Sequence, residues 1–340
     1  MGKAYFTLVA LAFFLAGRPS RAVQTLDVYF IDVEGGQSTL FISPSGESML
    51  VDTGWPDFAG RDADRIVAAA KLAGVKRIDY LVVTHYHADH VGGVPALAQR
   101  MPIVNFIDHG PRDADTDAMA QFLYKSYETV ASKGNRILAR PGETIPVTGI
   151  DVEIVSAAGD EIAQPLAGAG EPNPLCATTP RREVDTGENA QSAGMMITYG
   201  KFRMVDLGDL TWNKELDLVC PNNKLGTVDV YLSTHHGMNL SGSAAIVHAL
   251  HPRVAIMNNG ARKGGTPEAW QAIHSEPGLE GFWQLHYAED GGPANNVAVD
   301  FIANQDAVDG NWIRLSADAD GGFTVTNGRN GRRETYAARH

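Results

Sequence analysis

The residues best equipped for chemistry lie in one segment, Thr84-His85-Tyr86-His87-Ala88-Asp89-His90. Three imidazoles and a carboxylate within six residues form a set of nitrogen and oxygen donors that suits zinc, manganese or iron. The segment follows the apolar run 78–83, which has no polar alternation and reads as a strand buried on both faces. Ligand sites gather where such strands end. The pattern therefore predicts a metal site held at a strand end. His85 and His87, two apart, project to one side of an extended loop. Asp89 and His90 open the next turn of chain and face another way.

Around that segment the predicted elements fall into two halves. Strands are expected over 26–31, 38–42, 48–51 and 78–83, with helices over 62–72, 91–99 and 117–133. A second run of strands is expected over 150–155, 195–199, 203–206, 228–233 and 254–258. Helices are expected near 214–218, 244–249 and 267–274. Strands first and helices after, twice over, predict two sheets packed face to face with helices outside. This is an α/β fold of the four-layer αββα kind, over residues 26–305. Residues 306–340 read as a C-terminal β extension with a hairpin over 312–325 that turns at Ala319-Asp320-Gly321-Gly322. Residues 163–189, rich in Pro, Gly and Ala, read as a long functional loop.

Residues 1–22 carry Lys3, an apolar run over 6–16 and the small-residue end Ser20-Arg21-Ala22, which together read as an export signal. The run is too short to span a bilayer. The expected product is soluble and periplasmic or extracellular, with no membrane span after cleavage. The whole chain carries 28 basic and 40 acidic residues, a net charge of −12. Such a surface disfavours long nucleic acid as a partner and leaves a small-molecule substrate as the expectation. Cys176 and Cys220 read equally as a disulfide or as two separate thiols.

Further along the chain the resemblance becomes specific. Phe30-Ile31-Asp32-Val33 with Gly36-Gln37, Val51-Asp52-Thr53-Gly54, the histidine motif through Gly93, Leu207-Gly208-Asp209, His235-His236-Gly237 and His251-Pro252-Arg253-Val254 occur in the order found in metallo-β-lactamase-fold hydrolases. The chain most resembles the branch of ComEC-type competence proteins and related phosphodiesterases. The resemblance implies two divalent ions, zinc or else manganese or iron, with a shared hydroxide between them. One ion falls to His85 and His87, the other to Asp89, His90 and His236, with Asp209 bridging both. Asp206 is the competitor of Asp209. His235 is implied as a substrate contact or proton donor, with an exchange of roles between His235 and His236 left open.

The common family pattern has a third histidine for the first ion, where this chain has Asn189-Ala190-Gln191-Ser192. His109 is the candidate to fill that place, or else a surface histidine. Asp52 and Asp32 are implied as supports of the ligands. Asn258, Asn259 and Gly260 read as oxyanion donors or as turn residues, and His286 as a residue that could face the cleft. The implied activity is metal-dependent hydrolysis of a phosphodiester. The alternatives are a β-lactam or lactone hydrolase and, from another class, a non-catalytic binding module on the same fold.

Overall fold

The computed structural model describes residues 1–2, 25–111, 118–306 and 308–339. The predicted export signal falls almost wholly outside them, as does Asp117 at the start of an expected helix. Among the described residues the strands form two sheets of nine. The first half of the chain supplies β1 (Leu26–Phe30), β2 (Thr39–Ile42), β3 (Ser48–Val51), β4 (Ile78–Val82), β5 (Ile103–Asp108) and β6 (Asn135–Leu138). The second supplies β7 (Thr144–Ile145), β8 (Asp151–Ala157), β9 (Asp160–Glu161), β10 (Gly194–Tyr199), β11 (Phe202–Asp206), β12 (Val230–Leu232), β13 (Val254–Met257), β14 (Gly281–His286) and β15 (Ile302–Asn304). The chain then returns with β16 (Ile313–Ala317), β17 (Phe323–Asn327) and β18 (Arg333–Tyr336) to extend the first sheet on the free side of β1.

Side-chain alternation builds the layers. Leu26, Val28 and Phe30 of β1 face Ile197, Met204, Ile256 and Trp283 of the other sheet in one inter-sheet core. Tyr29 and Ile31 point the other way, against α1 (Arg61–Leu72) and its neighbours. On the far side, Val205, Tyr231, Ala255 and Met257 meet α5 (Trp212–Val219), α6 (Ala244–Leu250) and α7 (Pro267–His274). Strands buried on both faces have no room for polar alternation, so β4, β12 and β13 are apolar nearly throughout. The result is the αββα sandwich.

Two expected elements differ. The helix expected over 91–99 begins inside the histidine motif, as α2 (Ala88–Val91), and resumes as α3 (Val94–Ala98) after a break at Gly92 and Gly93. Glycine is required at the break: a Cβ on Gly93 would lie 2.1 Å from the Thr53 carbonyl oxygen. The helix expected over 117–133 is α4 (Ala118–Ala131). At the other end, the expected hairpin is joined by β18 as a third strand. The long 163–189 segment is fastened rather than loose. Cys176 and Cys220 form a disulfide, the Asn173 amide donates to Val219 and Ala245 carbonyls, and Trp212 donates to the Pro180 carbonyl.

The motif is stitched to the ends of the neighbouring strands. Gln37 N–H donates to Asp89 O at 3.1 Å, Thr53 N–H to His90 O at 2.7 Å, and Gly54 N–H to Gln37 O at 3.0 Å. Gly36 permits this approach, since a Cβ there would lie 2.4 Å from Asp89 O. Gly36→Ala is therefore expected to destabilise the protein by about 1–3 kcal/mol through overpacking. Urea unfolding with unchanged m-value and a lowered midpoint is the expected observation.

Candidate metal centre

Asp52 leaves the end of β3 with a left-handed backbone, φ 59°. Its Oδ1 accepts Thr84 N–H at 2.8 Å, and its Oδ2 accepts the Thr84 hydroxyl at 2.7 Å. The same Oδ2 lies 2.7 Å from His90 Nδ1. That contact puts a proton on Nδ1 and aims Nε2 away from the strand end. There it meets His236 Nε2 at 3.1 Å, Asp89 Oδ2 at 3.2 Å and Asp209 Oδ2 at 3.2 Å. His236 Nε2 lies 3.2 Å from Asp89 Oδ2 and 3.1 Å from Asp209 Oδ1. The donor atoms of Asp89, His90, Asp209 and His236 all fall within 4.8 Å of one another, and all four residues are buried.

Beside this group, His85 Nε2 and His87 Nδ1 face each other at 3.0 Å. Asp209 Oδ2 is 4.0 Å from His85 Nε2, so that carboxylate stands between the pair and the foursome. It also meets His235 Nε2 at 3.3 Å. Asp206, by contrast, turns inward, where the Gln37 amide donates to both its oxygens at 2.9 and 2.8 Å. Burial pushes Asp206 up to about 6.

Two ring nitrogens facing each other can share at most one proton, and here they crowd against carboxylates in a dry setting. Burial alone would raise Asp89 and Asp209. The imidazole of His90 with Lys263, and those of His235, His236 and His90, hold them well below the usual carboxylate range instead. Burial would likewise lower His90, yet Asp209, Asp89 and Asp52 carry it well above the usual imidazole value. His85 goes well below, through burial and the His90 charge. The cluster thus needs positive charge at its centre. This donor set of imidazole nitrogens and carboxylate oxygens fits a divalent ion.

As neighbours on an extended chain, His235 and His236 would diverge. Both instead have left-handed backbone, φ 55° and 57°, in a 3₁₀ turn (Thr234–Gly237), and both side chains reach Asp209. Burial pushes His235 down to about 4, so its ring is neutral at neutral pH. Its Nδ1 lies 3.3 Å from Ser241 Oγ, and that hydroxyl donates to Leu210 O at 2.6 Å.

His109 and Asp32 do not join the cluster. His109 Nε2 faces Glu188 Oε2 at 3.2 Å, and that oxygen also accepts Tyr86 N–H at 3.0 Å. Asp32 meets His286 Nε2 at 2.6 Å and accepts Arg65 Nη1 at 2.7 Å, with Arg65 also 3.3 Å from Glu34. Asp32, Glu34 and His286 form a second buried group whose positive charge comes from Arg65. His286 is fully buried. Asn259 serves its turn, its amide donating to the carbonyls of Gly260 and His286.

Sequence reasoning missed three participants. Lys263, in the stretch Gly260-Ala261-Arg262-Lys263-Gly264-Gly265, pairs with Asp89. A cation among glycines after a buried strand was the available signal. Glu188 joins the 163–189 segment to the motif backbone. Glu215 on α5, fully buried, accepts Gly242 N–H at 2.8 Å beneath the His235 turn.

The comparisons with known proteins agree with this geometry. The family model described as the metallo-beta-lactamase superfamily matches residues 32–169, which include the whole histidine motif. That match spans 138 of the 340 residues and, with the αββα sandwich, shows the metallo-β-lactamase fold carrying a candidate metal-binding cluster. It is 23% identical over 260 residues to Competence protein ComA of Neisseria gonorrhoeae, covering 76% of this chain and 31% of that protein. It is 22% identical over 256 residues to Recombination protein 2 of Haemophilus influenzae, covering 75% of this chain and 27% of that protein. The chain thus spans about a third or less of the length of these relatives. Among solved structures, the metallo-beta-lactamase fold protein YhfI from Bacillus subtilis superposes with a TM-score of 0.47 at 14% identity, covering 76% of this chain and 96% of that one.

Two measurements test the support of the cluster. Asp52→Ala is expected to weaken zinc binding by about 10–100-fold in chelator competition, because His90 loses the partner of its Nδ1. Glu215 is raised by burial from its ordinary value to about 7, against opposing hydrogen bonds from Thr234, Gly242 and Ser243. A raised carboxyl favours the fold at low pH and loses that contribution as pH rises through about 7. Glu215→Gln should therefore gain stability over the parent between about pH 5 and about pH 8.5, by up to about 3 kcal/mol. A pH-independent difference in urea midpoint would refute this.

Proposed function

We propose that this protein is an exported two-metal hydrolase of a small phosphodiester. The observation that carries the metal reading is the convergence of His90, His236, Asp89 and Asp209 on one buried point, with His85 and His87 facing each other alongside. In this reading Asp89, His90 and His236 would hold one ion and His85 and His87 the other, with Asp209 a ligand within reach of both sets. Asn189 stands where the family's third histidine is usual. Its Oδ1 is buried without a hydrogen-bond partner among the described residues, and it lines a cavity of about 310 Å³ with His235, which makes it the candidate to complete the first site. Zinc is the expected metal, with manganese or iron compatible with the same donors.

Divalent ions in this centre would supply an activated water and stabilise charge on the phosphoryl group. The chain's own groups do the rest. Asp52 fixes the tautomer of His90, and Asp209 presents an acceptor on the line between the two ligand sets. His235, neutral and braced by Ser241, borders the cavity and is positioned to contact substrate beside Asp209. Glu188 and His109 brace the Tyr86 backbone between His85 and His87.

The substrate class rests on likeness to the competence and recombination proteins, which align with about three-quarters of this chain. The net charge of −12 favours a small diester over a long polyanion. Export is supported by the signal-like residues 1–22 and by the Cys176–Cys220 disulfide, a bond suited to an oxidising compartment. Retention of every motif ligand favours an enzyme over a binding module.

The test is hydrolysis of bis-p-nitrophenyl phosphate beside nitrocefin and an acyl-lactone by the zinc-loaded protein. Diester turnover that falls by about 10²-fold or more in His87→Ala is the expected result. Diester turnover that survives His87→Ala would sink the mechanism, and nitrocefin turnover alone would replace the substrate class.

A further inference from the structure

The loop between β13 and α7 places a cation where the metal reading requires an ion. Lys263 Nζ bonds to Asp89 Oδ2, the same oxygen that His90 Nε2 and His236 Nε2 approach at 3.2 Å. The loop is held tightly enough to make this a designed approach. Gly260 N–H donates to Lys263 O at 2.8 Å and Gly265 N–H to His236 O at 3.0 Å. Gly264 has φ +80°, and a Cβ there would lie 2.0 Å from His236 O. Gly35 gives way to the root of the lysine side chain, since a Cβ on it would lie 2.8 Å from Lys263 Cβ. The stem of Lys263 is thus threaded between the Gly35 turn and the His236 backbone.

Its far end is freer. The Lys263 side chain is 29% exposed, against 9% for that of Asp89. Nζ lies 5.3 Å from the Trp55 ring centroid, within cation–π range. Lys263, Trp55, Arg262 and Tyr287 line a cavity of about 650 Å³ together with the acids Glu34, Glu289 and Asp306. An ammonium on a four-carbon stem can exchange a carboxylate for a nearby aromatic face without moving its backbone.

Building on the metal-centre reading above, we propose that Lys263 is a counter-ion of Asp89 that competes with the metal at the second site. Displaced from that site, it binds an anionic oxygen of the substrate in the Trp55 cavity. One carboxylate oxygen cannot serve an ammonium and a divalent ion at the same point, because like charges at contact distance repel strongly in a buried setting. When the ion enters among Asp89, His90, Asp209 and His236, the ammonium leaves Asp89 Oδ2, and the cavity is its open direction. There Arg262 is paired with Glu289 at 2.8 Å, so the displaced Lys263 is the cation left to meet an anion, against the carboxylates of Glu34 and Asp306. The chemistry this recognises is a phosphate or phosphodiester oxygen.

The experiment uses the full mature chain, stripped of metal and titrated with zinc against a chromogenic chelator, for the parent, Lys263→Met and Lys263→Arg. In Lys263→Met one of the two zinc constants is expected to tighten by about tenfold while the other stays the same. Lys263→Arg, which keeps the charge, should stay near the parent. Inorganic phosphate should raise the melting temperature of the zinc-loaded parent and not that of Lys263→Met. Weaker zinc binding in Lys263→Met, or constants within about twofold of the parent, would overturn the competition. An undiminished phosphate shift would overturn the substrate role. A parent chain that takes up no zinc overturns the metal-centre reading itself, and is recognised before either variant is compared.

Discussion

Asp52 sits at the junction of everything else in this molecule. Its carboxylate collects the Thr84 amide, the Thr84 hydroxyl and the outer nitrogen of His90, and so fixes both where the motif leaves β4 and which nitrogen of His90 faces inward. A buried carboxylate without such partners would be costly. With them it becomes a fixed reference from which the other donors are placed. The left-handed backbone at Asp52 is the local strain this position carries, and the surrounding strand ends over-determine it.

From that point the two halves of the sandwich make unequal contributions. The first sheet delivers four donors from one short segment, a strand end followed directly by a helical turn. The second delivers Asp209 after β11 and the paired histidines after β12, two adjacent parallel strands whose ends lie side by side. The seam between the sheets therefore gathers negative charge that neither sheet could hold alone. In the structure that charge is met by the proton favoured on His90 and by the Lys263 ammonium. The same excess of acceptors that makes the site electrostatically tense makes it suited to a cation.

Local patterns made much of this legible in advance. The strand before the motif, the ligand types and the strand-end positions of Asp209 and His236 follow from runs of a few residues. The αββα order follows from the sequence of strands and helices. What was not legible depended on contacts across the chain. Gly93 is required by the close approach of Thr53, forty residues earlier in sequence. His235 and His236 would diverge as extended neighbours, and only their positive φ values turn both toward Asp209. His109 and Asp32 carry suitable side chains, but Glu188 and His286 claim them. Lys263 gave no periodic signal, since its role exists only once β13 has been laid beside β12.

The return of β16–β18 to the edge of β1 has a consequence for how the protein is made. Leu26 pairs with Ala317 and Phe30 with Ile313, so β1 lacks one neighbour until β16 has been synthesised. Contacts of such sequence separation form slowly and late. A partly synthesised chain is left with an open strand edge and an incomplete inter-sheet core, to which Leu315 and Phe323 belong. A sheet edge that closes only when β16 arrives is a built-in delay in folding.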